Sequence, residues 1–384
     1  MLIITIINWD IVAIIYNTIF SLFFFLLAFF MFYISIKGYK AKNHYGGSST
    51  IICGIFFIIF GLYNLFFWFF PYPYNGFMIW WIGIILIIFI SFASIIKQII
   101  KQMNREEPNS KNLKISRFRK FVALMTQENP YKENISVKME TVRKSFHLAG
   151  FGFILAYFGF FFLFPVTRII NDTIIVFINE TEWFYNIIWG DINDYPYSKG
   201  DFQAVVDLTF FALIGALFFA IISDIIRILW GPEYSIFNFL TKAVLRDKEY
   251  NAFAAHIYLI SGFIFSYMLY FIGIVHILIV VAAILISCFS DALAALIGRK
   301  YGKHEVKCIG GEIKSIEGFI AGTGSAFLIA LIVLGPVYAL IAALIFFILD
   351  FFPTIIADNL LNPIFITIGI AVSMILLGFP IGWF

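Results

Sequence analysis

Asp291 closes a long apolar run, and the stretch SDALAALIGRKYGKH (residues 290–304) then passes through two glycines into a cluster of positive charge. An ionisable side chain at membrane depth is costly unless paired or solvated, which makes it a candidate for function. Gly298, Gly302, Gly310 and Gly311 let a ligand approach the backbone closely, and Arg299, Lys300, Lys303, Lys307 and Lys314 supply charge. Glycine backbone and cations gathered in this way suit a polyphosphate. Asp291 and Glu317 then provide carboxylates for Mg²⁺, which is usually held by one or two carboxylates together with substrate phosphates. The stretch is not a Walker A loop: GRKYG has three residues between its glycines where that motif has four, and His304 follows Lys303 where Ser or Thr belongs.

The elements that must position these residues are membrane helices. Hydrophobic residues make up 62% of the chain and charged residues only 13%, which no soluble domain matches. A spanning helix needs about 20 mainly apolar residues, and about ten such runs are predicted. They cover 11–36, 50–70, 76–100, 146–165, 204–226, 253–272, 274–297, 318–335, 337–352 and 363–380. The expected fold class is all-α, a polytopic integral membrane helix bundle. The first run has no positive stretch ahead of it and reads as a retained helix, not a cleaved signal peptide. Cys53, Cys288 and Cys308 match neither a disulfide framework nor a zinc-site spacing, and no fixed-period repeat is evident.

Lysine and arginine set the orientation. Lys37, Lys40 and Lys42 follow the first run, and a dense series from Lys97 to Lys144 follows the third, which places both loops in the cytoplasm. The 166–203 loop carries Asp172, Glu180, Glu182, Asp191, Asp194 and Asp201 against only Arg168 and Lys199, and is expected outside. Counting helices then brings the remaining polar groups to one face, the cytoplasmic one: Arg143, Lys144 and His147 in RKSFH; Asp224 and Arg227 in SDIIR; Arg246 and Glu249 in LRDKE; Asp291; KSIEG (314–318); and Asp358 with Asn359.

Each group also has a plainer reading. Arg143 and His147, four apart, fit a topology anchor; Asp224 and Arg227, three apart, fit an intrahelical ion pair. Arg246 with Glu249 fits a solvated loop, and Lys300, Lys303 and His304 fit a patch on acidic headgroups. His256 and His276 read as core or interface residues without an acidic neighbour. Asp291 resists such a reading, since no sequence neighbour pairs with it before Arg299. A transporter predicts ionisable groups through the bilayer depth, whereas these cluster at one face.

The ordered set RKSFH, SDIIR, LRDKE, SDALAALIGRKYGKH, KSIEG and DNLLNP resembles the polyprenol kinase family, which includes dolichol kinase, CTP-dependent diacylglycerol kinases and phytol and farnesol kinases. The resemblance covers residues 140–380 and divides the chain into an N-terminal three-helix region with its basic loop (1–139) and a catalytic membrane domain (140–384). It implies transfer of the terminal phosphoryl group of CTP to a lipid alcohol, dolichol or another polyprenol being favoured, at the cytoplasmic membrane face with Mg²⁺. No nucleic-acid partner is implied. Catalytic positions would be Asp291, Lys314, Glu317 and His147, with Asp291 and Glu317 as metal ligands. Nucleotide-binding positions would be Gly298, Arg299, Gly302, Lys303, Ser315 and Gly318, together with Arg143, Lys144, Asp224, Arg227, Arg246, Glu249, Asp358 and Asn359. Phosphatidate cytidylyltransferases look similar around Asp291 and Glu317 but continue with H-G-G-x-x-D-R-x-D, and here no histidine or arginine follows Gly318.

The topology is testable by cysteine labelling of intact cells with a membrane-impermeant reagent. Cysteines placed in 101–142 and 298–318 should stay unlabelled while positions in 180–200 react; labelling of Lys303→Cys from outside would overturn the arrangement.

Overall fold

The computed structural model describes residues 9–70, 74–103, 202–235, 251–308, 313–352 and 354–382, with scattered positions between 141 and 184. The helices are α1 (Trp9–Lys40), α2 (His44–Phe67), α3 (Tyr74–Met103), α4 (Phe202–Leu229), α5 (Ala255–Phe271), α6 (Ile277–Leu285), α7 (Asp291–Tyr301), α8 (Ile316–Leu334), α9 (Pro336–Phe351) and α10 (Asp358–Leu377). A π-helical turn, Ile286–Ser290, joins α6 and α7 into one span. Among the described residues seven spans are long and apolar enough to cross a membrane, and α5 and α9 are shorter apolar helices. Large apolar side chains such as Phe29, Ile332 and Leu376 point outward, as a lipid-facing surface requires. The protein is an all-α integral membrane bundle.

The predicted run 146–165 lies almost wholly outside the described residues, and each of the other runs overlaps a helix. The last helix begins at Asp358 and continues through Pro363, so the predicted start at 363 was late. Pro363 removes one backbone donor. Its own carbonyl accepts from Thr367 Oγ1 (2.7 Å) and Ser266 Oγ (3.2 Å), which ties α10 to α5.

A period does exist in the first helical pair, although the sequence reading found none. Gly47, Gly54 and Gly61 recur every seventh residue on α2, and Tyr39, Phe32 and Phe25 recur at the same interval, in reverse, on α1. A Cβ at those glycines would lie 2.9, 3.0 and 2.6 Å from the respective rings. Lipid tails give apolar helices no hydrophobic reason to associate, so close packing of large against small residues holds such a pair. A heptad interval keeps that seam facing its partner.

Among the described residues the chain also forms a small antiparallel hairpin, β1 (Glu305–Lys307) and β2 (Ile313–Ser315), with Glu305 opposite Ser315 and Val306 opposite Lys314. The basic glycine loop is therefore partly a β-ribbon. It returns the chain to α8 in a fixed register, with the Ile316 N–H donating to His304 O (2.9 Å).

Two glycines should separate by what faces them. A Cβ at Gly262 of α5 would lie 2.5 Å from the Pro363 ring and 2.9 Å from the Leu360 carbonyl, whereas one at Gly61 meets only the half-buried Phe25 ring. Backbone cannot swing aside. Gly262→Ala should cost about 1–3 kcal/mol by overpacking and lower the thermal midpoint in detergent, with Gly61→Ala clearly milder; equal losses would mean that both interfaces yield alike.

Candidate functional site

The π-helical turn is the local feature that delivers Asp291. It inserts a wider turn into an otherwise apolar span, immediately before the aspartate, and π-turns inside α-helices are frequent at functional sites. Ser290, within the turn, has a buried hydroxyl with no hydrogen-bond partner. No sequence signal for this turn stands out.

Downstream, α7 runs hard against the start of α8. A Cβ at Gly298 would lie 2.9 Å from Ser315 Oγ and 3.4 Å from Gly318 Cα; one at Gly318 would lie 2.8 Å from Ala294 O. At Gly302 the same atom would lie 2.7 Å from Ser315 Cβ. These glycines serve helix-to-helix approach as much as access for a ligand. Ser315 caps α8, its Oγ accepting the Gly318 N–H (3.1 Å).

The polar segments meet at one cavity of about 360 Å³. Of the residues singled out in the sequence, Lys144, Asp291, Gly298, Arg299, Gly302, Lys314, Ser315, Gly318, Asp358 and Asn359 line it. Tyr45, Tyr258, Glu305 and Asp350 line it too, and sequence reasoning missed them. Asp350 had a signal, being a charge within an apolar run.

Charge around the cavity is largely paired. Asp291 and Lys144 form an ion pair, with side-chain exposures of 14% and 4%. Asp291 is therefore not the isolated carboxylate that its sequence neighbourhood implies. Lys314 Nζ donates to Asp350 Oδ1 (2.6 Å) and to the Asp350 carbonyl (2.7 Å), a cation at the C-terminal end of α9. The carboxylates of Asp291 and Asp358 are close enough to repel that of Asp350.

Four helices also open onto the cavity by their first turns. Tyr45 is the second residue of α2, Ala255 the first of α5, Gly318 the third of α8 and Asp358 the first of α10, and all four line it. Each helix N-terminus carries roughly half a positive charge, although several first-turn N–H groups already have partners, Ile316 on His304 O, Gly318 on Ser315 Oγ and Asn359 on Asp358 Oδ1. The N-cap residues of α5 and α10, Ala254 and Ala357, make no side-chain cap bond. The arrangement is chemically an anion receptor.

Other sequence candidates are placed differently. Asp224 and Arg227 are buried beneath the cavity, not on its wall: Arg227 Nε and Nη2 donate to Asp224 Oδ1 (2.7 Å) and Oδ2 (2.8 Å), and Nη2 also donates to Ala252 O (2.7 Å). Asp224 Oδ2 accepts the Ala254 N–H (2.7 Å), so the pair fixes the chain that leads into α5. His256, read as lacking an acidic neighbour, lies close enough for its charge to act on Asp224. Glu317 is not on the cavity wall; its Oε1 lies 2.7 Å from His304 Nδ1, and with Lys303 nearby it belongs to the hairpin side. Arg143, His147, Arg246 and Glu249 lie outside the described residues.

Among the described residues no group of three His, Cys, Asp or Glu side chains could hold a metal unaided. Asp291, Asp350 and Asp358 line the cavity, the first two in ion pairs with lysines, and any of them would hold Mg²⁺ only together with phosphate oxygens. Comparison with family models, curated proteins and solved structures returns no match.

The Asp291–Lys144 pair makes a stability prediction. Asp291→Asn takes the carboxylate partner from a buried ammonium and should cost up to about 3–5 kcal/mol, while Asp291→Asn with Lys144→Met should recover most of it. Thermal unfolding in detergent reads both; an unchanged midpoint for the single variant would show that the pair contributes nothing.

Proposed function

We propose that the protein is a lipid-alcohol kinase that transfers the terminal phosphoryl group of CTP to a dolichol or other polyprenol, at the cytoplasmic face of a ten-span bundle. The observation that carries this reading is the convergence of four helix first turns, Arg299, Lys144 and Lys314 with four carboxylates, those of Asp291, Glu305, Asp350 and Asp358, on one cavity. The resemblance of the Asp291, Lys314 and Asp358 segments to polyprenol kinases selects the reaction from among those an anion receptor can serve.

In the proposed reaction the bond between the terminal phosphorus and the CDP oxygen breaks and a bond to the lipid oxygen forms. The hydroxyl proton leaves and CDP departs. Little covalent work falls to the protein in phosphoryl transfer; positioning and charge neutralisation dominate. The positive first turns of α8 and α10, with Arg299, would attract and orient the phosphates. Asp291, held by its ion pair with Lys144, would accept the hydroxyl proton or hold a cation. Bound Mg²⁺ would supply further neutralisation of phosphate charge, with Asp291 and Asp358 as its protein ligands.

Purified protein, CTP or ATP labelled in the γ-phosphate or in the nucleoside, and a panel of lipid alcohols beside phosphatidate test the reading. We expect γ-label in the polyprenol and CDP released. Cytidine label in the lipid, with pyrophosphate released, would assign the chain to the cytidylyltransferases; no transfer to any lipid would refute kinase activity.

A further inference from the structure

The resemblance to kinases begins near residue 140, yet the cavity has a wall that comes from residue 45. Tyr45 lines it from the first turn of α2, and one turn further along α2 lies Ser49, fully buried. Ser49 Oγ donates to the Tyr45 carbonyl (2.8 Å) and accepts the Ala357 N–H (2.8 Å). A hydroxyl has one proton to give and lone pairs to receive, so both bonds form together. Ala357 is the N-cap of α10 and has no side-chain cap of its own. The hydroxyl of a helix in the N-terminal region thus fixes the backbone from which Asp358 and Asn359 project.

The consequences pass directly to the cavity. Asp358 Oδ1 accepts the Asn359 N–H (2.8 Å), and Asn359 Nδ2 reaches Ala255 O (3.5 Å), so the starts of α10 and α5 are tied through the same few residues. Beside Ser49, the Thr50 hydroxyl lies 2.8 Å from that of Tyr258, a second cavity residue. Tyr45, Ala255, Ala357, Asp358 and Asn359 all line the cavity, while Ser49 stands behind them. We infer that Ser49 is a positioning residue for the reaction, acting through Ala357 on Asp358 and Asn359, and that the α1–α2 pair is part of the active site and not an appended anchor. This rests on the kinase reading for its rate measurement and on the structure alone for its exchange measurement.

Ser35 supplies a matched control. It is buried, it sits on the same helical pair, and its Oγ donates to Gly47 O (2.9 Å), with no link to α10. Ser49→Ala and Ser35→Ala each delete one buried hydroxyl and each introduce a strong helix former. For the full-length protein in detergent, hydrogen–deuterium exchange over residues 355–361 should quicken in Ser49→Ala and stay as in wild type in Ser35→Ala. Turnover of γ-labelled CTP with polyprenol should fall at least about tenfold in Ser49→Ala, since small misplacements of a positioned group cost large rate factors, and less than about twofold in Ser35→Ala. Unchanged exchange in Ser49→Ala, equal effects of the two variants, or wild-type turnover in Ser49→Ala would each overturn the inference. Inactivity of the wild-type protein on every lipid alcohol would instead refute the kinase reading, and the exchange data would still decide whether Ser49 holds the start of α10.

Discussion

Four positive helix ends cannot share one small cavity without countercharge, and this requirement organises the surrounding structure. The first turns of α2, α5, α8 and α10 meet there, each contributing roughly half a unit of positive charge. Arg299, Lys144 and Lys314 add to it. Asp291, Glu305, Asp350 and Asp358 are the balance, two of them in ion pairs with the lysines. A buried ion pair adds little stability by itself, because removing two charges from water offsets their attraction. Its usefulness is in orientation: each lysine fixes one carboxylate on the wall and leaves the helix ends to face whatever anion arrives.

The same cavity depends on two close approaches of backbone. Gly298 and Gly318 let α7 lie against α8, and Gly262 lets α5 lie against Pro363 and Leu360 of α10. Without the first, Ser315 could not sit between two helices and cap one of them. Without the second, the starts of α5 and α10 would not both reach Asn359. Behind them the Asp224–Arg227 pair, whose partners include the backbone of Ala252 and Ala254, keeps the segment ahead of α5 in place. The buried charges support the cavity mechanically, from outside its wall.

Much of this was legible in sequence, for reasons that are local. Apolar runs long enough to span a bilayer announce helices, and glycine, lysine and aspartate at the end of one announce a site. The class of fold and ten residues of the cavity wall follow from that. What escaped was non-local. Asp291 and Lys144 are separated by 147 residues, and the Ser49–Ala357 bond spans 308, so no window of sequence contains either pair. The π-turn leaves no composition signal, because the residues that form it, ISCFS, would serve equally in an ordinary helix. The heptad glycines of α2 were hidden in a chain with 50 phenylalanines, where an aromatic every seventh residue on α1 has many neighbours of the same type. Glu317 was grouped with Asp291 because both are acidic and lie near the glycine loop; the hairpin turns it toward His304.

The depth of the cavity bears on which substrate it suits. At about 1.5 Å per residue a span of about 20 residues crosses the hydrocarbon layer, so the first turn of a spanning helix lies near its boundary. A cavity made of first turns lies at that boundary by construction. Among the described residues the buried charged side chains Lys144, Asp224 and Arg227 all belong to this end of the bundle. At the opposite end of α1 and α2 the buried polar groups are neutral and bond to one another, Asn64 Nδ2 donating to Asn17 Oδ1 (2.9 Å) and Asn17 Nδ2 to Asn64 O (3.0 Å). A path for carrying a polar solute across the bilayer would need ionisable or open polar groups between these ends. A lipid alcohol needs none, since its hydroxyl rests at the boundary while its chain stays in the apolar layer. In the proposed reaction a nucleotide arriving from water would meet that hydroxyl at the depth where the helix ends, lysines and aspartates converge.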